Sequence, residues 1–163
     1  MGLLADEIPV AHSPEGGWKG EAPPRTLAQC TEPLADGVPD MRGLWKAHAV
    51  EMDGEPIDDV SHLERVEQCG NRVVITSAGI IHDMRSDGTL EHGVNDISAF
   101  NGQPIHVAAS WEEGKHALRP NGGDIAVTRE LDGDELIWTI VPLKRVTRMR
   151  RIAEPDEGVP DGR

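Results

Sequence analysis

Near the middle of the chain stand three side chains of the types that proton transfer needs: His82, His92 and Asp96. Imidazoles titrate near neutral pH, and a neighbouring carboxylate can hold one ring in a fixed orientation. A three-residue turn in MRSDGTL, with Gly88 in the left-handed position, pairs Arg85 with Thr89, Met84 with Leu90, His82 with His92 and Ile80 with Val94. That register gathers the apolar residues and both imidazoles on one face, and Asp96 falls on the same face. Facing residues on paired strands have Cβ atoms ~4.5–5.5 Å apart, close enough to share a water or a ligand proton. A two-residue turn at Glu113-Gly114 would bring His116 opposite Trp111 and into the same set. The other reading of these side chains is the polar lining of a wet cavity. His12, His48 and His106 fall at arm or outward positions. There is no HxH spacing, nucleophile elbow, phosphate loop or dinucleotide fingerprint, so neither a metal nor an organic cofactor is expected.

Arginine supplies a second kind of chemistry. A two-residue Asp132-Gly133 loop in ELDGDEL pairs Leu131 with Asp134 and Arg129 with Leu136, leaving Arg129 on the apolar face beside Val127 and Trp138. Alternation on the last strand separates Val146, Arg148 and Arg150 from Thr147, Met149 and Arg151. With the first set inward, two more guanidiniums enter the interior and require a carboxylate there, from the protein or from a ligand. The planar fork of Arg suits bidentate capture of such a group. Alternatively, one of these Arg stacks over Trp45 and the other reaches solvent. Trp45, Trp111, Trp138 and Met84 complete the candidate lining, or serve only as core packing.

The elements that must position these residues are short alternating runs separated by turn signals, the pattern of an antiparallel barrel or sandwich. Strands are expected near 43–52, 60–69, 72–78, 79–86, 89–97, 104–111, 115–120, 124–131, 134–141 and 145–152. Residues 56–68 also admit a helical reading, because Ile57, Val60, Leu63 and Val66 recur at three-residue steps. A chain of 163 residues suits one domain, organised as an arm over 1–40, a barrel over 41–152 and an acidic tail over 153–163. The arm is rich in Pro and Gly and carries seven acids against two bases; Trp18 marks it as a surface strap, or alternatively as a lid or a homodimer contact.

A formal net charge of −13 argues against nucleic acid, whose backbone is bound through Lys and Arg. The start MGLLADEIPVA has no basic region ahead of an apolar run, and no stretch approaches the ~20 residues of a membrane span. The expectation is a soluble, cytoplasmic protein that does not engage a membrane. Cys30 and Cys69 lack zinc-site spacing and read as free thiols, with a bridge between them as the alternative.

Gly43-Leu44-Trp45-Lys46 at the first strand resembles the GxW start of the calycins, the lipocalins and fatty-acid-binding proteins. The segment TRELDGDELIWTIVPLKRVTRMR, 128–150, resembles the end of the intracellular fatty-acid- and retinoid-binding proteins, with REL, a short turn, DELI-x-T and a closing TRxY. In that family two Arg and a Tyr hold the ligand carboxylate. The resemblance places Arg129 and Arg148 at the two Arg positions, with Arg150 where the Tyr would stand. It implies an all-β, roughly ten-stranded up-and-down calycin-like barrel that binds a small, mainly apolar ligand bearing an acidic or carbonyl group. The second expectation is an enzyme of isomerase, cyclase, lyase or hydratase type on the same barrel, with His82 and His92 as acid and base. A third is an interaction protein that uses the acidic arm.

Overall fold

The computed structural model describes residues 2–155. The part of the expected tail beyond position 155 lies outside the described residues. Eleven strands form one antiparallel sheet: β1 (Gly43–Met52), β2 (Glu55–Ile57), β3 (Leu63–Cys69), β4 (Arg72–Ser77), β5 (Ile80–Arg85), β6 (Val94–Ile97), β7 (Pro104–Glu112), β8 (Lys115–Pro120), β9 (Val127–Asp132), β10 (Glu135–Ile140) and β11 (Arg145–Ala153). Ten of them follow the path β5-β4-β3-β1-β11-β10-β9-β8-β7-β6, which curls into a nearly closed barrel, and β2 pairs separately with β1. The alternation located these ten strands closely, except that β6 begins only at Val94.

Turn chemistry explains much of the register. Asp53-Gly54, Ala78-Gly79 and Glu113-Gly114 all have positive φ at both residues, the geometry that matches the twist of tight hairpins. Trp111 therefore faces His116. The β9–β10 hairpin turns instead at Gly133-Asp134, pairing Asp132 with Glu135 and Arg129 with Trp138, two residues from the expected register. Both registers leave Arg129 on the inner face, since a shift of two preserves side-chain direction. The helical reading of 56–68 does not hold. Residues 55–57 form β2, and from Leu63 the strand period turns Glu64 and Val66 inward and Arg65 and Glu67 outward.

Two cores lie on opposite faces of the sheet. Inside the barrel pack Met41, Trp45, Val66, Val73, Ile75, Met84, Leu136 and Met149. Outside, against β3, β4 and β5, Ala5, Ile8, Trp18 and Leu27 of the N-terminal segment cover Cys69, Val74 and Ile81. That segment is also fastened by buried charge. Arg72 donates to the carbonyls of Ala5 (2.8 Å), Ile8 (2.6 Å) and Pro9 (3.3 Å) while pairing with Asp83. Glu67 accepts the N–H groups of Leu27 (2.8 Å) and Thr26 (3.2 Å). Cys30 and Cys69 are disulfide-bonded, with Cα atoms 6.1 Å apart, which corrects the free-thiol expectation. The outer core brings the two sulfurs together, although 39 positions separate them in sequence.

One end of the barrel is closed by Trp45, whose indole N–H donates to the Met41 carbonyl at 2.9 Å and whose face carries the Arg151 guanidinium at 4.5 Å. Gly43 makes room for this lid: a Cβ there would sit 2.7 Å from Arg151 Nε, at a φ of +150°. Among the described residues no helix is long and apolar enough to cross a membrane.

Candidate functional site

Hairpin register assembles one row of inner side chains across four neighbouring strands. Trp111 on β7 faces His116 on β8, His116 faces Arg129 on β9, and Arg129 faces Trp138 on β10. The indole of Trp111 meets His116 edge-on at 4.8 Å, and the Arg129 guanidinium lies 5.1 Å from the Trp138 ring centre. From across the barrel Glu64 reaches Arg129 with both oxygens, at 2.9 and 3.0 Å. His62 hydrogen-bonds Glu64 at 2.7 Å and stacks on Trp138 at 4.4 Å, with about 21% of its side chain left exposed. Behind the row, Ser86 Oγ and His116 Nε2 share a hydrogen bond of 2.9 Å.

The electrostatics follow from burial and from one fixed cation. Burial alone would raise the Glu64 carboxyl, but the Arg129 charge and the His62 hydrogen bond outweigh it and hold Glu64 at about 2. Burial, reinforced by Arg129, pushes His116 down to about 3. The ring is therefore neutral at physiological pH. His82 is lowered too, chiefly by burial, against the opposing influence of the Ile97 carbonyl and Asp96. Three ring nitrogens of the row, Trp111 Nε1, Trp138 Nε1 and His116 Nδ1, are buried and have no hydrogen-bond partner among the described residues.

The acid–base pair expected of His82 and His92 does not form. His82 points inward, with Nε2 2.9 Å from the Ile97 carbonyl. His92 lies on the outer side of a loop and bonds Asp87 through Nδ1 at 2.5 Å. The three-residue turn loses to a longer one because Asp87 accepts the N–H and hydroxyl of Thr89, and Gly88 N–H donates to Ala109 on β7. Gly93 lets this loop lie flat, since a Cβ there would come within 1.8 Å of the Val107 carbonyl. Asp96 has a buried carboxylate but spends it on the Ser13 N–H (3.0 Å) and His12 Nδ1 (3.2 Å) rather than on an imidazole of the interior.

Arg148 and Arg150 are corrected as well. The inner face of β11 is Thr147, Met149 and Arg151, so the other two point outward. Apolar Met149 takes the buried position, while Arg148 finds Glu135 at 2.9 Å and Asp132 at 3.3 Å outside. Glu135 also bonds His48. Such exposed pairs contribute little, and Arg148→Gln should leave the midpoint of a urea titration essentially where it is in the parent. Of the expected lining, Trp45, Met84, Trp111, His116, Arg129 and Trp138 face the interior. Glu64, His62 and Ser86 complete the site and were not anticipated. The signal for the first two was the alternation His62, Glu64, Val66 in SHLERVEQ once it is read as a strand. No family model matches the chain, and no curated protein matches it significantly.

Proposed function

We propose that the chain is a calycin-like barrel that binds a small, mainly apolar ligand through a neutral oxygen, a carbonyl or hydroxyl, at the Trp111–His116–Trp138 row. The observation that carries this reading is the set of three buried ring nitrogens without partners in one cross-strand row. Each unsatisfied buried polar group costs ~1–3 kcal/mol, so the row favours any molecule that supplies acceptors. With Ser86 donating to Nε2, His116 carries its proton on Nδ1, in the same row as the two indole N–H groups. Ala47 and Ala109 are small members of the same inner core. The Gly43-Leu44-Trp45 start supports the calycin-like reading of the barrel, and so does the Arg151 guanidinium over Trp45, since an Arg stacked on this Trp closes the floor of lipocalin barrels.

The Arg129 pairing favours the carbonyl ligand over the acidic one, both of which the sequence left open. Glu64 already occupies the guanidinium fork, and an added carboxylate would be buried beside the Glu64 charge. Titration calorimetry with a medium-chain methyl ketone, the matching carboxylic acid and the matching alkane should therefore rank the ketone first. Trp111→Phe and Trp138→Phe should each weaken ketone binding by roughly three- to tenfold, the value of one hydrogen bond, and leave alkane binding unchanged. Tighter binding of the acid, or equal binding of all three, would overturn the proposal.

A further inference from the structure

The two ends of the sheet path, β5 and β6, meet without a ladder. Across this seam the Arg85 N–H donates to the His92 carbonyl at 2.8 Å, and His82 Nε2 lies 2.9 Å from the Ile97 carbonyl. A strap of chain, residues 10–13, crosses outside. Ala11 N–H donates to Asp83 on β5 at 2.9 Å and Ser13 N–H to Asp96 on β6 at 3.0 Å. Ser13 Oγ donates to the Ile81 carbonyl and accepts the Ile81 N–H at 2.7 Å. Beneath the strap lies a cleft of about 200 Å³ whose lining includes Met84 and Val94, both members of the inner core. At the seam the barrel wall therefore lacks a strand ladder, and a cleft reaches the inner core.

The strap is anchored from behind. Leu3 forms a parallel bridge with Cys30, its N–H donating to the Gln29 carbonyl and its carbonyl accepting the Thr31 N–H, each at 2.8 Å. Ala5 N–H donates to Glu32 at 2.9 Å. The first residues of the chain are therefore laid on residues 29–32, and those are bolted to β3 by the disulfide. Cys69 is fully buried, whereas Cys30 is partly exposed and lines a second cleft of about 280 Å³. A small reductant can reach only the Cys30 side.

We infer that the Cys30–Cys69 bridge is a redox latch on this strap, whose reduction by a dithiol frees residues 2–13 to leave the β5–β6 seam. A thiolate of the reductant attacks the Cys30 sulfur, the S–S bond breaks, and Cys69 departs as a thiolate that takes a proton from water. The second thiol of the reductant then resolves the mixed disulfide and releases Cys30 as a thiol. Two electrons and two protons pass to the protein, and the reductant ends as its own disulfide. The coupling runs through contiguous contacts, from Cys69 to Cys30, to Leu3 and Ala5, and on to the strap.

The test is amide hydrogen exchange on the full chain, oxidised and after dithiothreitol, with thiol alkylation measured by mass to establish complete reduction. No ligand is involved, so its failure is separate from failure of the proposed function. The amides of Ala11, Ser13 and Ile81 should exchange at least tenfold faster in the reduced protein, while those of β9 and β10 stay unchanged. Cys30→Ser should reproduce the pattern without reductant. Unchanged exchange at the three amides after full reduction would overturn the inference. So would a uniform loss of protection across the barrel, which makes the bridge a general staple, or resistance of the folded protein to excess dithiothreitol.

Discussion

Replacing Glu64 by Gln should destabilise the protein by about 3–5 kcal/mol, the usual cost of leaving a buried ion without its partner. The Arg129 side chain is only 7% exposed and Glu64 is fully buried, so water cannot take over the lost pairing. The double variant Glu64→Leu with Arg129→Met should recover most of the loss, because apolar groups of similar volume remove both charges together. Urea unfolding of the three proteins measures this. If Glu64→Gln is as stable as the parent, the pair contributes nothing to the fold.

The same pair sets the acid limb of stability. Glu64 titrates at about 2 in the folded protein against an ordinary 4.5, a depressed carboxyl whose contribution is present above pH 4.5 and lost as pH falls toward 2. The difference corresponds to roughly 3 kcal/mol. His116 acts in the same direction over a higher window. Its folded value of about 3 lies below the ordinary 6.5, so the unfolded chain binds the extra proton and stability declines from pH 6.5 downward. Unfolding free energies measured between pH 7 and pH 3 should fall throughout, and Glu64→Leu with Arg129→Met should flatten the lower part of the curve.

The second large effect belongs to the outer face. Arg72→Met should cost about 3–5 kcal/mol, since it leaves the Asp83 carboxylate buried without its cation and removes the donor to three carbonyls of the N-terminal segment. The loss should appear with the disulfide intact, which separates this anchor from the latch. A change below about 1 kcal/mol in equilibrium unfolding would show that the segment is held by its other contacts and not by Arg72.

The strands were legible because period-two alternation and X-Gly turns are local signals, and both survive into the barrel at β1, β4, β7 and β8. Trp111 opposite His116 followed from one such turn. What was not legible depended on side chains competing for backbone groups or on contacts distant in sequence. Asp87 redirected the loop that carries His92, and no propensity distinguishes that outcome from a tight hairpin. The choice of inner face on β11 was open between two sets that both contain Arg, until Met149 and the outward carboxylates Asp132 and Glu135 resolved it. Glu64 meets Arg129 across 65 positions, and Cys30 meets Cys69 only because the N-terminal segment wraps β3.

The four tryptophans of this chain divide among three layers. Trp18 belongs to the outer core, Trp45 to the closed floor beneath the Arg151 guanidinium, and Trp111 and Trp138 to the inner row. With no Tyr in the sequence, ultraviolet emission comes from indoles alone. A protein keeping only Trp18 would report movement of the outer segment, and one keeping only Trp138 would report occupancy of the interior. Each event thus has its own optical reporter, and neither requires an added dye.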